Sequence, residues 1–172
     1  MVAPTTRTVA RVQPISRNCV ICGTDNPFGL SAQYLELDDG QVMAIVQPRS
    51  EHQGYPGRMH GGIAGALLDE LIGRAINVTE PEVFGVTVEL SVKYRKPIPL
   101  DGPLRAVARV TKNSRRLYEG TGEILAEDGS VAVEGWARYF RQPVATILGG
   151  SETDFAEDWK IDEREAPMTV EF

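Results

Sequence analysis

The sequence predicts an α+β domain, one long buried helix packed by about six antiparallel strands. Three observations carry that prediction. Residues 61–77 run without proline and are rich in Ala, Leu and Ile. Val86, Val88, Leu90, Val92 and Tyr94 alternate strictly with polar residues, the period of a strand. Asp39-Gly40 and Asp128-Gly129 each separate two short apolar runs, the strongest local signal for a hairpin.

Taken in order, residues 1–28 are polar and broken by Pro4, Pro14 and Pro27, so they read as an arm. Arg7, Arg11 and Arg17, with no acid among residues 1–24, resemble a transit peptide, but Pro4 and Pro14 oppose a helix there. A loose arm is the expectation. Leu30–Leu37 and Gln41–Gln47 are the first two strands. A loop with Pro48, Gly54, Pro56 and Gly57 leads to His60-Gly61-Gly62. The helix that follows is apolar nearly all round, which marks it as buried. Four strands succeed it, at 86–95, 104–111, 117–126 and 130–140. Sequential antiparallel strands around one helix make an α+β plan rather than a doubly wound one. The chain therefore divides into an arm (1–28), a folded domain (29–142) and an extension (143–172). In the extension Phe155, Trp159 and Ile161 either dock a short helix or form a partner-binding segment.

Charge follows the same division. The net charge is −6 over 172 residues. Residues 151–172 hold eight acids and two bases, which accounts for all of it. Removing that tail after Gly150 is expected to leave the body's function intact. From Lys93 to Arg116 there are eight bases and one acid, a stretch suited to an anionic partner. The 42% hydrophobic content is enough for a core and excludes wholesale disorder. No apolar run reaches about 18 residues, so no membrane span is expected. With no secretory h-region and only two cysteines, a cytoplasmic location is expected.

At 100° per residue, Gly62, Gly65, Asp69 and Gly73 fall on one face of the helix. Each helical glycine costs about 1 kcal/mol relative to alanine, so three together imply close approach by another group. The plain alternative is tight helix packing with Asp69 at a solvated edge. Glu70 lies on another face, four residues before Arg74, as an i,i+4 pair. Gly61 and Gly62 present backbone N–H groups at a positive helix end, where an oxyanion or carbonyl oxygen can bind. His60 stands there either as a cap or as a functional imidazole.

The run His60-Gly61-Gly62-Ile63-Ala64-Gly65-Ala66-Leu67-Leu68-Asp69-Glu70 resembles the HGG…D helix of hot-dog-fold acyl-CoA thioesterases, in the phenylacetate-type (PaaI-like) branch. Thr87-Val88-Glu89-Leu90-Ser91-Val92-Lys93-Tyr94-Arg95-Lys96-Pro97 is similar to that branch's first strand after the helix. Cys19-Val20-Ile21-Cys22-Gly23 with Asn26-Pro27-Phe28-Gly29-Leu30 resembles a leader of some members. The resemblance implies a hot-dog fold, active sites formed between paired subunits, and hydrolysis of an acyl- or aryl-CoA without metal or cofactor. It implies a homodimer or a tetramer built from two dimers, with no nucleic-acid partner. It assigns Asp69 as general base or nucleophile, the Gly62 N–H to the thioester carbonyl, His60 to orienting that carbonyl or the loop, and Thr87 to assisting the water. Gly61 and Gly65 line the substrate's path. Coenzyme A carries phosphates, and Arg115 and Arg116, or Lys93, Arg95 and Lys96, would receive them. Each of these cations has the alternative of a solvated strand face. The same fold also accommodates a non-catalytic acyl-CoA-binding protein. A hydratase reading is weaker, because no histidine follows Asn26-Pro27.

Cys19-x-x-Cys22 is half a zinc site by spacing. No second CxxC exists, and His52 and His60 are the only histidines. Free thiols in a turn are expected, with metal binding as the alternative. No Gly-rich phosphate loop, G-x-S-x-G or zinc-hydrolase motif is present.

Overall fold

A computed structural model describes residues 5–149 and 152–171. Ten strands and three α-helices follow one another in chain order among these residues. They are β1 (Thr6–Val12), β2 (Ile15–Ser16), β3 (Gln33–Leu37), β4 (Val42–Val46), α1 (Gly61–Arg74), β5 (Phe84–Tyr94), β6 (Leu104–Asn113), β7 (Leu117–Leu125), β8 (Val131–Gln142), α2 (Val144–Ile147), α3 (Glu152–Asp158), β9 (Trp159–Lys160) and β10 (Thr169–Glu171). Eight strands form one sheet in the order β10-β1-β3-β4-β6-β7-β8-β5, every neighbouring pair antiparallel. One helix against such a sheet is the hot-dog arrangement that the sequence predicts. Both Asp-Gly turns form, with Gly40 at φ 82° and Gly129 at φ 78°.

The helix is seated closely on the sheet. Leu67, Leu68, Leu71 and Ile72 are completely buried. Leu68 and Ile72 drop into places where β7 and β8 carry no side chain. A Cβ at Gly120 would stand 2.7 Å from Ile72, and one at Gly122 2.8 Å from the same side chain. Glycine is required at both by close approach rather than by backbone conformation. At its N-terminus the helix is capped by His60, whose Nδ1 accepts the Gly62 N–H at 2.9 Å.

The sheet exceeds the six expected strands because both chain ends join it. β1 pairs with β3, and β10 pairs with β1. The arm is therefore not loose where it is described. Val9 and Val12 pack with Leu35, Leu37, Met43, Val107 and Val170 on the sheet face away from α1. These strands are short and polar on their other face, so they show no long alternation. The acidic tail, which its sequence left outside the body, thus covers apolar sheet. Its Phe155 and Trp159 stack at 5.3 Å and both meet Phe84 edge-on. Ile161, the third candidate docking residue, is 80% exposed.

Two expectations follow. Gly122→Leu should lower unfolding stability by about 1–3 kcal/mol through overpacking beneath α1, read from urea denaturation. Truncation after Gly150 should destabilise the chain by about 2 kcal/mol or more, since it uncovers the apolar partners of Val170 and Trp159. An unchanged denaturation midpoint would show that the tail is not part of the folded unit.

Candidate active site

Asp69 leaves α1 on the side facing β5 and β8. Its carboxylate Oδ1 accepts the Thr87 hydroxyl at 2.9 Å and lies 3.4 Å from the Tyr139 hydroxyl. Tyr139 donates to the Asp69 backbone carbonyl at 2.6 Å. Thr87 reaches Asp69 at a break in the strand ladder. The β5–β8 register slips between Thr87 and Glu89, a bulge of the kind that re-aims side chains near functional sites.

The tyrosines were not singled out by sequence reasoning. Tyr118 and Tyr139 stack at 4.9 Å, and Tyr118 donates to the Gly73 carbonyl at 3.0 Å. Burial first, and the Asp69 charge after it, pushes both phenols above their ordinary range, at Tyr118 against the opposing charge of Arg141, so they act as donors at neutral pH. A Cβ at Gly73 would lie 3.1 Å from the Tyr139 ring, which accounts for one glycine of the helical stripe. The available signal was this stripe together with the inward register of Tyr139 on the last long strand.

Asp69 opens into a cleft of about 420 Å³. Its floor is Asp69, Glu70, Gly73 and Arg74, its walls are Tyr118, Tyr139, Val83, Phe84 and Trp159, and Cys19 and Val20 line it further. Trp159 belongs to the tail, so removal after Gly150 would take away a wall of this cleft. The tail, expected to be dispensable to the body's function, thus supplies part of the cleft.

The helix start lies elsewhere. Gly61 precedes Asp69 by eight residues, roughly 12 Å along the helix axis. Gly61 lines a separate cleft with Tyr55, Arg58, Tyr94, Arg95 and Lys96. Tyr94 donates to the Gly61 carbonyl at 2.6 Å, and its hydroxyl would be 3.5 Å from a Cβ at Gly65. Within one chain the predicted residues therefore form two groups. Asp69 and Thr87 stand together; His60, Gly61, Gly62 and Gly65 gather at the other end of the helix. The Gly62 N–H, assigned by resemblance to the carbonyl, is already taken by His60.

The cations divide similarly. Lys93 and Arg95 approach Glu134 at 3.8 and 2.7 Å, and Lys96 approaches Asp128 at 3.5 Å. Arg115 and Arg116 lie exposed in the β6–β7 turn and make no ion pair among the described residues. The Glu70–Arg74 pair forms at 2.8 Å as the spacing implies. Arg74 is buried, lies 4.3 Å above the Tyr34 ring centroid, and approaches Trp159 at 5.2 Å.

An α+β hot-dog domain with a helix-borne carboxylate beside a cleft is the class defined by fold and site. Residues 56–133 match the family model described as the thioesterase superfamily. The matched stretch contains α1 and the HGG…D run on which the resemblance rests. Acyl-coenzyme A thioesterase 13 of Homo sapiens is 27% identical over 96 residues, covering 51% of this chain and 69% of that protein. A crystallised thioesterase superfamily protein is 31% identical with a TM-score of 0.66; the match covers 72% of this chain and 60% of that one. The PaaI protein of E. coli, at 17% identity, shares the fold with a TM-score of 0.59 over 66% of this chain and 80% of its own. Among the described residues no helix is long and apolar enough to cross a membrane.

Tyr139→Phe tests the support beneath Asp69. It removes the donor to a backbone carbonyl inside the fold, and stability should fall by about 1–3 kcal/mol in denaturant titration. Loss of less than a few tenths would show that Tyr139 does not hold the helix at Asp69.

Proposed function

We propose that the chain hydrolyses an acyl- or aryl-CoA thioester to the free acid and coenzyme A, with the active site shared between two copies. The observation that carries this reading is the Asp69–Thr87 pair at an apolar, aromatic cleft. Thioester hydrolysis requires an activated water or an attacking carboxylate, together with stabilisation of the tetrahedral oxyanion. Asp69 supplies the carboxylate. The Thr87 hydroxyl donates to it, and its lone pairs can accept a hydrogen from water. Phe84, Trp159 and Tyr118 suit an apolar or aryl acyl group.

Subunit pairing is supported by the condition of β5. The most regular apolar alternation in the sequence lies on an edge strand that one chain leaves uncovered. Val86, Val88 and Leu90 are 46%, 57% and 37% exposed. An unpaired edge with exposed apolar side chains is a template for another strand. Two-fold antiparallel pairing about the point between Leu90 and Ser91 would set Thr87 opposite Tyr94 of the partner subunit. Tyr94 touches Gly61 within its own chain, so that pairing would carry Asp69 to the helix start of the other copy. The two groups separated in one chain then form one site. For the Gly62 N–H to hold the carbonyl, the His60 ring must turn away from it.

Coenzyme A phosphates would find Arg115 and Arg116 without carboxylate partners. Lys93 and Arg95 are held by exposed ion pairs, and Lys96 by one such pair and the Ser130 hydroxyl, contacts weak enough to exchange. The second reading, a non-catalytic acyl-CoA binder, draws on the occupied Gly62 N–H.

The test is thiol release across a panel of acyl- and aryl-CoAs. Asp69→Asn should lower kcat by about a hundredfold or more, and Thr87→Val by about tenfold, with the fold unchanged by circular dichroism. Full activity in Asp69→Asn would remove Asp69 from the mechanism. Calorimetric binding of CoA esters without thiol release would favour the binder.

A further inference from the structure

Cys19, Cys22 and Glu70 have no part in the hydrolysis just described, yet their side chains converge into one compact polar cluster. Both sulfurs and a Glu70 carboxylate oxygen lie within 4.8 Å of one another. The Cys19 thiol stands 3.2 Å from Glu70 Oε2. The turn that joins the cysteines wraps closely around Cys19. A Cβ at Gly23 would fall 2.5 Å from the carbonyl oxygens of Arg17 and Cys19, so only glycine closes it.

Each sulfur is met by two N–H groups. Cys19 Sγ receives the Ile21 and Cys22 backbone N–H groups at 3.3 and 3.4 Å. Cys22 Sγ receives the Ser16 N–H at 3.5 Å and Arg74 Nη2 at 3.3 Å. A neutral thiol is a weak acceptor with little use for two donors. Donors converging on sulfur stabilise thiolate, and they are the outer support that metal-bound cysteines use.

Charge points the same way. With both thiols protonated, the Glu70 carboxylate balances the Arg74 guanidinium. Loss of two thiol protons to solvent and entry of one divalent cation leaves the cluster's total unchanged. Arg74 is fixed by Pro14, Glu70 and the Tyr34 ring, so it remains as counter-charge outside the ligand set.

We infer that Cys19, Cys22 and Glu70 are the protein ligands of a site for one thiophilic divalent cation of the zinc class. Two thiolates and a carboxylate match the donor preference of zinc, and Cys19 and Glu70 also line the cleft, where water can complete four-coordination. The half-site visible in the sequence gains its third ligand from a helix residue 51 positions beyond Cys19. This inference does not depend on the hydrolase reading.

The full chain, reduced and desalted without oxygen, is incubated with zinc sulfate alone, passed through gel filtration and assayed for zinc and for free thiols. The expected result is about one zinc per chain, with both thiols reactive before loading and protected after it. Cys19→Ser and Cys22→Ser should lose retention. Glu70→Gln should bind about tenfold or more weakly, since even an outer-shell loss weakens binding that much. Cobalt(II) in the unmodified chain should give a thiolate-to-cobalt charge-transfer band, a readout that needs no variant and survives any folding defect in them. Absence of both the band and retained zinc in the reduced chain overturns the inference. So does full zinc retention in the Cys19→Ser/Cys22→Ser double variant. Spontaneous loss of both thiols to a disulfide, with no protection by zinc, also overturns it and makes the pair a redox couple.

Discussion

The close seating of α1 on the sheet governs everything else in the molecule. Leu68 and Ile72 occupy the space left open by Gly120 and Gly122, so the helix can neither slide nor rotate without collision. With one face locked, the remaining faces acquire fixed directions. Asp69 is aimed at β5 and β8, and Glu70, one residue on, at the cysteine turn. Two adjacent carboxylates thus enter different chemical surroundings because a helix turns about 100° per residue. Asp69 meets hydroxyl groups, whereas Glu70 meets sulfur and a guanidinium.

Much of this was legible in the sequence. The helix and the six central strands follow from periodicity and turn residues, and the stripe containing Asp69 follows from a helical wheel. Thr87 was placed by motif, and its contact with Asp69 is made at the bulge. What could not be read depends on separation along the chain. Tyr139 lies 70 residues from Asp69, and its role follows from an inward register beside Gly73. Glu70 was correctly paired with Arg74 on one helix, but no local pattern announces its contact with Cys19. Docking of Phe155 and Trp159 was one of the two readings open for the tail, but the pairing of arm and tail into the sheets was not legible, because strands of two to seven residues with one polar face leave almost no periodic trace.

The charge distribution also gains a structural meaning. In the tail, Glu157, Glu163, Glu165 and Glu171 are exposed, Asp162 is buried against Arg164, and Val170 packs on the sheet face away from α1. The basic stretch is divided between the two ends of α1. Lys93, Arg95 and Lys96 accompany the helix start, while Arg115 and Arg116 occupy the β6–β7 turn. Basic residues in one run of sequence are thus distributed by the antiparallel strands over separate parts of the surface.

Arg74 has a consequence that reaches beyond its charge. Its guanidinium donates to Pro14 in the arm and to Glu70 in the helix, lies over Tyr34 in the body, and approaches Trp159 in the tail. Four stretches of chain, remote in sequence, therefore share one cation. Segments tied at such a junction gain or lose their order together. Arm, body and tail should accordingly behave as a single cooperative unit, and a polypeptide cut after β8 would leave its C-terminal fragment bound to the remainder.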